Sequence, residues 1–289
     1  MSSKAAARPH SAAAPRRRRI RPGTILKYGF LLFVCAVVAF PYVWMVLSSF
    51  REGSEVFVKG MWLPKTWRFE NYPEAIQMAP FGRFFLNSLV TSALTVVAQL
   101  ITCPLAAFAF AKLEFKSKKF LFTIFLCTMM VPSESTIISN YLTIASFKLT
   151  DTYLAIIAPS LTSMFAIFLL RQFFKTIPDA LLEAARIDGA NTLQLFYRVV
   201  LPLAKSAMAT IIIFAFINCW NAYLWPTLVT TRTHMRTVQT GLRYMINPDL
   251  GSEWPKIMAA STVIIMPVLL LFICLQKYFV QGITKVGLK

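Results

Sequence analysis

Six apolar runs of about twenty residues constrain this chain more than anything else in it; they fall at about 25–48, 87–111, 120–142, 153–170, 206–230 and 257–276. A helix of that length is what crosses the ~30 Å hydrocarbon core of a bilayer. Charge obeys the same partition: all 30 Lys and Arg, and eleven of the 12 acids, lie outside the cores of the runs, with Glu134 the exception. The expected fold is therefore all-α, a polytopic membrane protein with six transmembrane helices. The first run exceeds the apolar region of a cleaved signal. Leu32-Phe33-Val34-Cys35 lacks the small residue that precedes a lipid-bearing cysteine, so this helix is expected to be retained.

The basic residues set the orientation. With the N-terminus inside, segments 1–27, 112–119, 171–205 and 277–289 hold 20 Lys and Arg against four acids, and the outside segments hold 10 against seven. The positive-inside rule then places both termini in the cytoplasm. The formal charge of +18 follows from this topology, and nucleic acid is not an expected partner. The Arg16–Arg19 run enforces orientation and meets anionic lipid headgroups. Residues 1–24 read as a disordered basic cytoplasmic tail ahead of a membrane domain over 25–289. Cys35, Cys103, Cys127, Cys219 and Cys274 all lie in apolar runs without metal-type spacing, as reduced packing residues. His10 and His234 fall on opposite sides of the membrane and cannot share a metal.

One inside segment has helical logic of its own. In PDALLEAARIDGANTLQLFYRVVLP, Thr176 is placed to cap a helix that starts at Pro178, with Asp179 and Glu183 near its N-terminus. Ala180, Leu181, Ala184 and Ile187 share a face, and Gly189 supplies the left-handed end. Asn191 caps a second helix carrying Leu193, Phe196, Tyr197 and Val200, which Pro202 closes. Two short amphipathic helices jointed at a glycine, with small alanines exposed to close approach, predict a docking surface.

Glu183-Ala184-Ala185, Gly189, Val199 and Leu201-Pro202 resemble the EAA loop of ABC-importer permeases, EAA-x3-G-x9-I-x-LP, with Val199 for the usual Ile. WLPKTWRFENYPEAI with FLNSL, WNAYLWPTLVT, and the terminal LQKYFVQGITKVGLK are similar to segments of carbohydrate-type, maltose-permease-like members; the ending Lys285-Val-Gly-Leu-Lys departs from their Ala/Gly-rich tail. The resemblance covers about 25–289 and implies a type I ABC permease fold in the bacterial inner membrane. It implies that 171–205 is the cytoplasmic coupling loop, with Glu183, Ala184, Ala185, Arg186, Asp188, Gly189, Leu201 and Pro202 meeting the ATPase. It also implies a second permease subunit, commonly in a heterodimer, two ATPase subunits carrying ATP and Mg, and an extracytoplasmic binding protein. No cofactor is expected on this chain itself. It holds no G-x-x-x-x-G-K-[ST] phosphate cradle and no catalytic constellation, so it is not expected to be an enzyme.

Pathway candidates come from polar residues inside the runs. Glu134 lies ~21 Å along a continuous third span, where an acid costs roughly 2.5–3.5 kcal/mol on insertion scales. It faces a cavity or is bonded to Ser133, Ser135 or backbone; Asn140 continues its strip. Asn218 and Asn221 share a face of the fifth span, with Tyr223 and Trp225 nearby. Amides with aromatic rings recognise sugars and also bond helix to helix. Each run holds one proline, Pro41, Pro104, Pro132, Pro159, Pro226 and Pro267, read either as bends along a pathway or as ordinary membrane-helix prolines. In loop 231–256, Arg232, His234, Arg236 and Arg243 outnumber Asp249 and Glu253. That surplus suits an acidic binding-protein face, a uronate oligosaccharide, or headgroups. A proton-coupled carrier using Glu134 is the rival from another class, and it leaves the EAA spacing unexplained.

Overall fold

The computed structural model describes residues 22–58, 60, 62–246 and 253–286, and the described residues form helices and turns without a strand. Arg16–Arg19, His10, Asp249 and the last three residues lie outside them. The chain divides into a unit through Trp44 and a unit from Met45 onward. The first unit is the larger part of helix α1 (Pro22–Ser48), which runs unbroken through Pro41. Pro22–Thr24, expected in the tail, already belong to α1, in keeping with proline's preference for a first helical turn.

The other elements are α2 (Asn71–Gln77), α3 (Phe81–Lys112), α4 (Lys118–Thr128), α5 (Ser133–Ser146), α6 (Tyr153–Ile157, extended by a tight turn to Ser160), α7 (Met164–Lys175) and α8 (Asp179–Ile187). They continue with α9 (Thr192–Leu203), α10 (Lys205–Trp220), α11 (Leu224–Val229), α12 (Val238–Leu242) and α13 (Trp254–Val286). Three apolar runs are unbroken helices: α1, α3 and α13. Bends of 95° between α4 and α5, 45° between α6 and α7, and 81° between α9 and α10 give up to six spans if each bent pair is counted as one.

The third, fourth and fifth runs are therefore not the continuous helices their apolarity predicts. Pro132 precedes α5 with extended ψ of 137°, so the third run turns there. In the fifth, helix ends at Trp220 and resumes at Leu224. Pro226 has no N–H for the Ala222 carbonyl and its ring would strike it, so the helix restarts with proline in the new first turn.

The packing axis is α3, along which α7 and α10 lie, while α13 packs on α10 and α2. Its sequence is inverted relative to a helix in water. Leu86, Leu89, Leu94, Val97 and Ile101 are exposed, whereas Asn87, Ser88, Thr91, Ser92, Thr95, Gln99 and Cys103 are buried at three- and four-residue spacing. Lipid is as apolar as leucine, so helices there associate through close packing and hydrogen bonds. At one end Asn87 donates to the His234 and Arg236 carbonyls at 2.8 Å each, and accepts from Tyr153 at 2.8 Å. Ser88 accepts from the Val238 amide at 2.8 Å. Gly241 of α12 lies so close to the Phe84 ring that a Cβ would collide with it. At the other end Phe108, Phe110, Phe122, Leu170 and Phe174 form a cluster that includes Leu182 and Phe196 from the α8–α9 hairpin.

Candidate functional site

The hairpin of α8 and α9 closes its own backbone. Gly189 sits at φ +86°. The Ala190 amide donates to the Ala185 carbonyl at 2.9 Å and the Gly189 amide to that of Arg186 at 3.0 Å, the pair of bonds that ends a helix on a left-handed residue. Asn191 then opens α9 with a reciprocal cap: its Oδ1 accepts from the Gln194 amide, and Gln194 Oε1 accepts from the Asn191 amide, both at 2.9 Å. Residues Leu195–Val200 widen into a π turn before Pro202. The extra residue carries the carbonyl four positions back away from the ring. Helix therefore continues through Pro202 to Leu203 instead of closing there.

Thr176 does not cap α8. Its hydroxyl donates to the Phe173 carbonyl at 2.7 Å and finishes α7 instead. The entry to α8 is held from α3: Lys112 Nζ donates to the Ile177 carbonyl at 2.7 Å and meets Asp179 Oδ1 at 2.6 Å. The hydrogen bond and charge of Lys112 outweigh desolvation, with help from Arg186 and Lys118, and hold the Asp179 carboxyl below the usual carboxylate range.

The hairpin has two faces. Leu182, Leu195, Phe196 and Val200 are buried, with the Phe196 ring 5.3 Å from that of Phe108. Burying one such leucine contributes roughly 1.5–3 kcal/mol relative to water. On the other face Ile187 is 87% exposed and Leu193 62%, and Leu181 and Tyr197 are open as well. Glu183, Ala184, Arg186, Asp188 and Pro202 share this exposure, whereas Ala185 and Leu201 pack against the cluster beneath. The sequence pattern found the outward face; Leu182, the inward anchor, was not singled out, and Ala185, expected to meet the ATPase, packs inward beside it.

The interior polar residues do not gather at one point. A cleft of about 290 Å³ between α3, α7 and α10 is lined by Gln99, Ser163, Phe165, Phe214 and Asn218, among others. Asn221 is exposed and accepts from Gln239 at 3.4 Å; Tyr223 is also exposed. Glu134 stands in the first turn of α5, exposed, with Ser133 Oγ donating to it at 3.1 Å. The bend at Pro132 removes the straight helix on which its depth was reckoned. Asn140, on the same helix, is half-buried.

The two tryptophans flanking Asn221 serve the backbone. The Trp225 indole N–H donates to the Ala155 and Ile156 carbonyls at 3.1 Å each, and these lie four and three residues before Pro159. Trp220 donates to the Ile264 carbonyl at 3.1 Å, three residues before Pro267. Proline leaves carbonyls in the preceding turn without their helical donor. At the α6–α7 break α3 completes the cover: Gln99 donates to the Ser160 carbonyl at 2.8 Å and Thr102 to that of Leu161 at 3.0 Å, while the Ser163 amide meets Cys103 Sγ at 3.4 Å. The missed signal is the polar stripe of α3, legible as a polar residue every third or fourth position from Asn87 to Cys103.

Comparison with known proteins places this arrangement. Residues 103–285 match the model of the family described as binding-protein-dependent transport system inner membrane component. This chain belongs to that family. The permease is 34% identical over 268 residues to the sn-glycerol-3-phosphate transport system permease protein UgpE of Escherichia coli O1:K1, covering 90% of this chain and 95% of the relative. It is 32% identical over 269 residues to the arabinooligosaccharides transport system permease protein AraQ of Halalkalibacterium halodurans, covering 92% and 96%. Its fold matches a crystal structure of a bacterial ABC transporter involved in the import of the acidic polysaccharide alginate, with TM-score 0.78 and 25% identity over 93% of this permease and 100% of that chain.

At the end of the permease far from the hairpin, Asp151 stands at φ +60° and fastens the start of the 231–256 loop. It accepts from the Thr231 and Arg232 amides at 2.8 Å each and from the Thr231 hydroxyl at 2.6 Å. Burial works to raise its pKa, but these bonds and the Arg232 charge prevail and hold it below the usual carboxylate range. Arg83 donates to the His234 carbonyl at 3.3 Å and Asn87 holds the His234 and Arg236 carbonyls, so this basic stretch of the loop is fastened by its backbone to the first turns of α3.

Proposed function

We propose that this permease is one of two membrane subunits of an ATP-driven oligosaccharide importer, both termini cytoplasmic, coupled to cytoplasmic ATPase subunits through the α8–α9 hairpin. The observation that carries the reading is the hairpin itself: a backbone closed by its own caps, rooted on α3 through Lys112 and Asp179, with Leu181, Ile187, Leu193 and Tyr197 uncovered. A helix pair built this way presents side chains to a partner without needing that partner to fold. Glu183, Ala184 and Gly189 are placed to dock. A second permease would complete the pathway, and a binding protein would deliver substrate to the far end.

The test is disulfide trapping of Ala184→Cys with single cysteines on the ATPase, in membranes where solute uptake is measured in parallel. Trapping that follows the nucleotide state, with uptake lost on deleting the ATPase, supports the reading. Uptake that survives the deletion and collapses with the proton gradient replaces it with a proton-coupled carrier.

Within the sugar class, an acidic oligosaccharide is the substrate best served by the basic group Arg83, Arg232, His234 and Arg236, where the neighbouring Asp151 is occupied by backbone amides. One relative is named for glycerol 3-phosphate and one solved structure for alginate, both anionic. Competition of labelled oligouronate uptake by neutral and acidic oligosaccharides of equal length decides between the two chemistries.

A further inference from the structure

The hairpin-side ends of α4 and α7 hold a cationic corner that neither the coupling surface nor the pathway uses. Arg171 lies with its guanidinium carbon 3.8 Å above the Phe122 ring, and its Nε donates to the Phe110 carbonyl at 3.1 Å. Phe122 is itself packed on Phe110, ring centroids 5.3 Å apart. The aromatic face and the carbonyl fix the guanidinium plane and leave its terminal N–H groups outside these contacts. Lys175 stands four residues beyond Arg171 on α7, and Lys118 four residues before Phe122 on α4, so both project from the same faces one turn nearer the helix ends. The charges of Arg171 and Lys118 both act on Lys175.

Of the nearby acids, Asp179 meets Lys112 at 2.6 Å and Glu114 meets Lys118 at 3.1 Å, so Lys118, whose Nζ also donates to the Leu113 carbonyl at 2.7 Å, is already engaged, whereas among the described residues no carboxylate meets Arg171 or Lys175. Four cations, Lys112, Lys118, Arg171 and Lys175, thus face two carboxylates at this corner, with Arg186 adding to the surplus beside Asp179. Beyond the charges, α4 continues as an open apolar surface in which Phe120 is 67% exposed, followed by Leu121, Ile124 and Phe125.

We propose that Arg171 and Lys175, bordered by Lys118, bind the phosphodiester headgroup of an anionic phospholipid, whose acyl chains lie along the exposed face of α4. A planar guanidinium suits a phosphodiester's paired oxygens, and the ammonium group of Lys175 one turn away supplies further charge. The apolar wall beginning within a turn selects a lipid over a free phosphate. The site sits at the root of the hairpin, because α7 runs from Arg171 through Lys175 directly into Thr176 and Pro178. It depends on the family's membrane placement and not on the substrate, so uptake specificity does not enter its test.

The test uses the full chain purified from membranes in mild detergent with the subunits that accompany it. Retained lipid is counted by native mass spectrometry, and thermal unfolding is followed on adding phosphatidylglycerol, phosphatidylcholine or inorganic phosphate. Phosphatidylglycerol should be retained and should raise the unfolding temperature, with the other two inert. Arg171→Gln and Lys175→Gln should each weaken retention about fivefold, in line with the usual worth of a basic residue at an anionic membrane. Lys116→Gln, which removes an equal charge from the preceding loop, should leave retention unchanged. Among the described residues Lys175 meets no carboxylate, so its variant tests the site even where Arg171→Gln disturbs the aromatic seat. Equal loss with Lys116→Gln, stabilisation by inorganic phosphate alone, or no preference over phosphatidylcholine overturns the site.

Discussion

The α6–α7 break and the α8–α9 turn both interrupt helix, and they settle their backbones in opposite ways. At the break, carbonyls of Ala155, Ile156, Ser160 and Leu161 are met by side chains from α3 and α11, fifty-nine or more positions away in sequence. At the turn, all partners lie within five residues. The difference follows from solvent. In hydrocarbon an uncovered carbonyl costs several kcal/mol, so irregular backbone there must recruit neighbours. In water the turn needs only its own caps, and its side chains stay available. The break is therefore welded into the bundle, and the turn is a self-contained unit with a free face.

The sharpest way to break this contrast is to disable the turn. Gly189→Pro forces φ to about −65° where the chain requires +86°, and removes the N–H that meets Arg186. Uptake should be abolished while the protein still inserts, as seen by solute accumulation and membrane immunoblotting. Glu183→Lys, which reverses a charge on the open face and leaves every cap in place, should also abolish uptake with an unchanged unfolding temperature. Normal uptake in both variants would remove the docking role.

Next in size is the break. Trp225→Phe keeps the ring and loses the donor to Ala155 and Ile156, at a cost of about 1–3 kcal/mol in thermal stability. Pro159→Ala returns a backbone N–H to the Ala155 carbonyl, so the double variant should recover part of that loss. A purely additive cycle would show that Trp225 acts through packing alone.

Smaller again is Asn191→Ala, worth about 1 kcal/mol at a helix cap. It should speed amide exchange at Gln194 and leave the break untouched. The smallest expected effect is at Asp151. Its folded pKa lies below its unfolded value, so its stabilisation is complete above that value, near 4, and is lost as pH falls through the lower folded one. Asp151→Asn should remove this component from an acid titration of thermal stability.

Most of the hairpin was legible in the sequence because its determinants are local: Gly189 and Asn191 do what their residue types and positions predict. The breaks were legible only as one of two readings of the proline in each run. Pro104 and Pro267 ride inside unbroken helices, while Pro132, Pro159 and Pro226 stand at or beside interruptions. The proline alone does not decide; the donors and partners that neighbouring helices bring to it do, as Trp225 does for Ala155. Thr176 failed for the same reason. Its hydroxyl fits either the end of α7 or the start of α8, and the choice rests on Lys112, sixty-four positions earlier. Of the residues read either as pathway or as helix-to-helix bonds, Asn218 lines the cleft, Asn221 and Tyr223 stand exposed outside it, and Trp225 makes the helix-to-helix bond.

Helix α3 has 32 residues, about 48 Å of rise, gripping the hairpin root with Lys112 at one tip and the backbone of the far loop with Asn87 near the other. A rod clasped at both extremities needs no relay of side chains to carry news between them. On the proposed coupling, a tilt imposed on one tip would carry the opposite surface with it, by leverage.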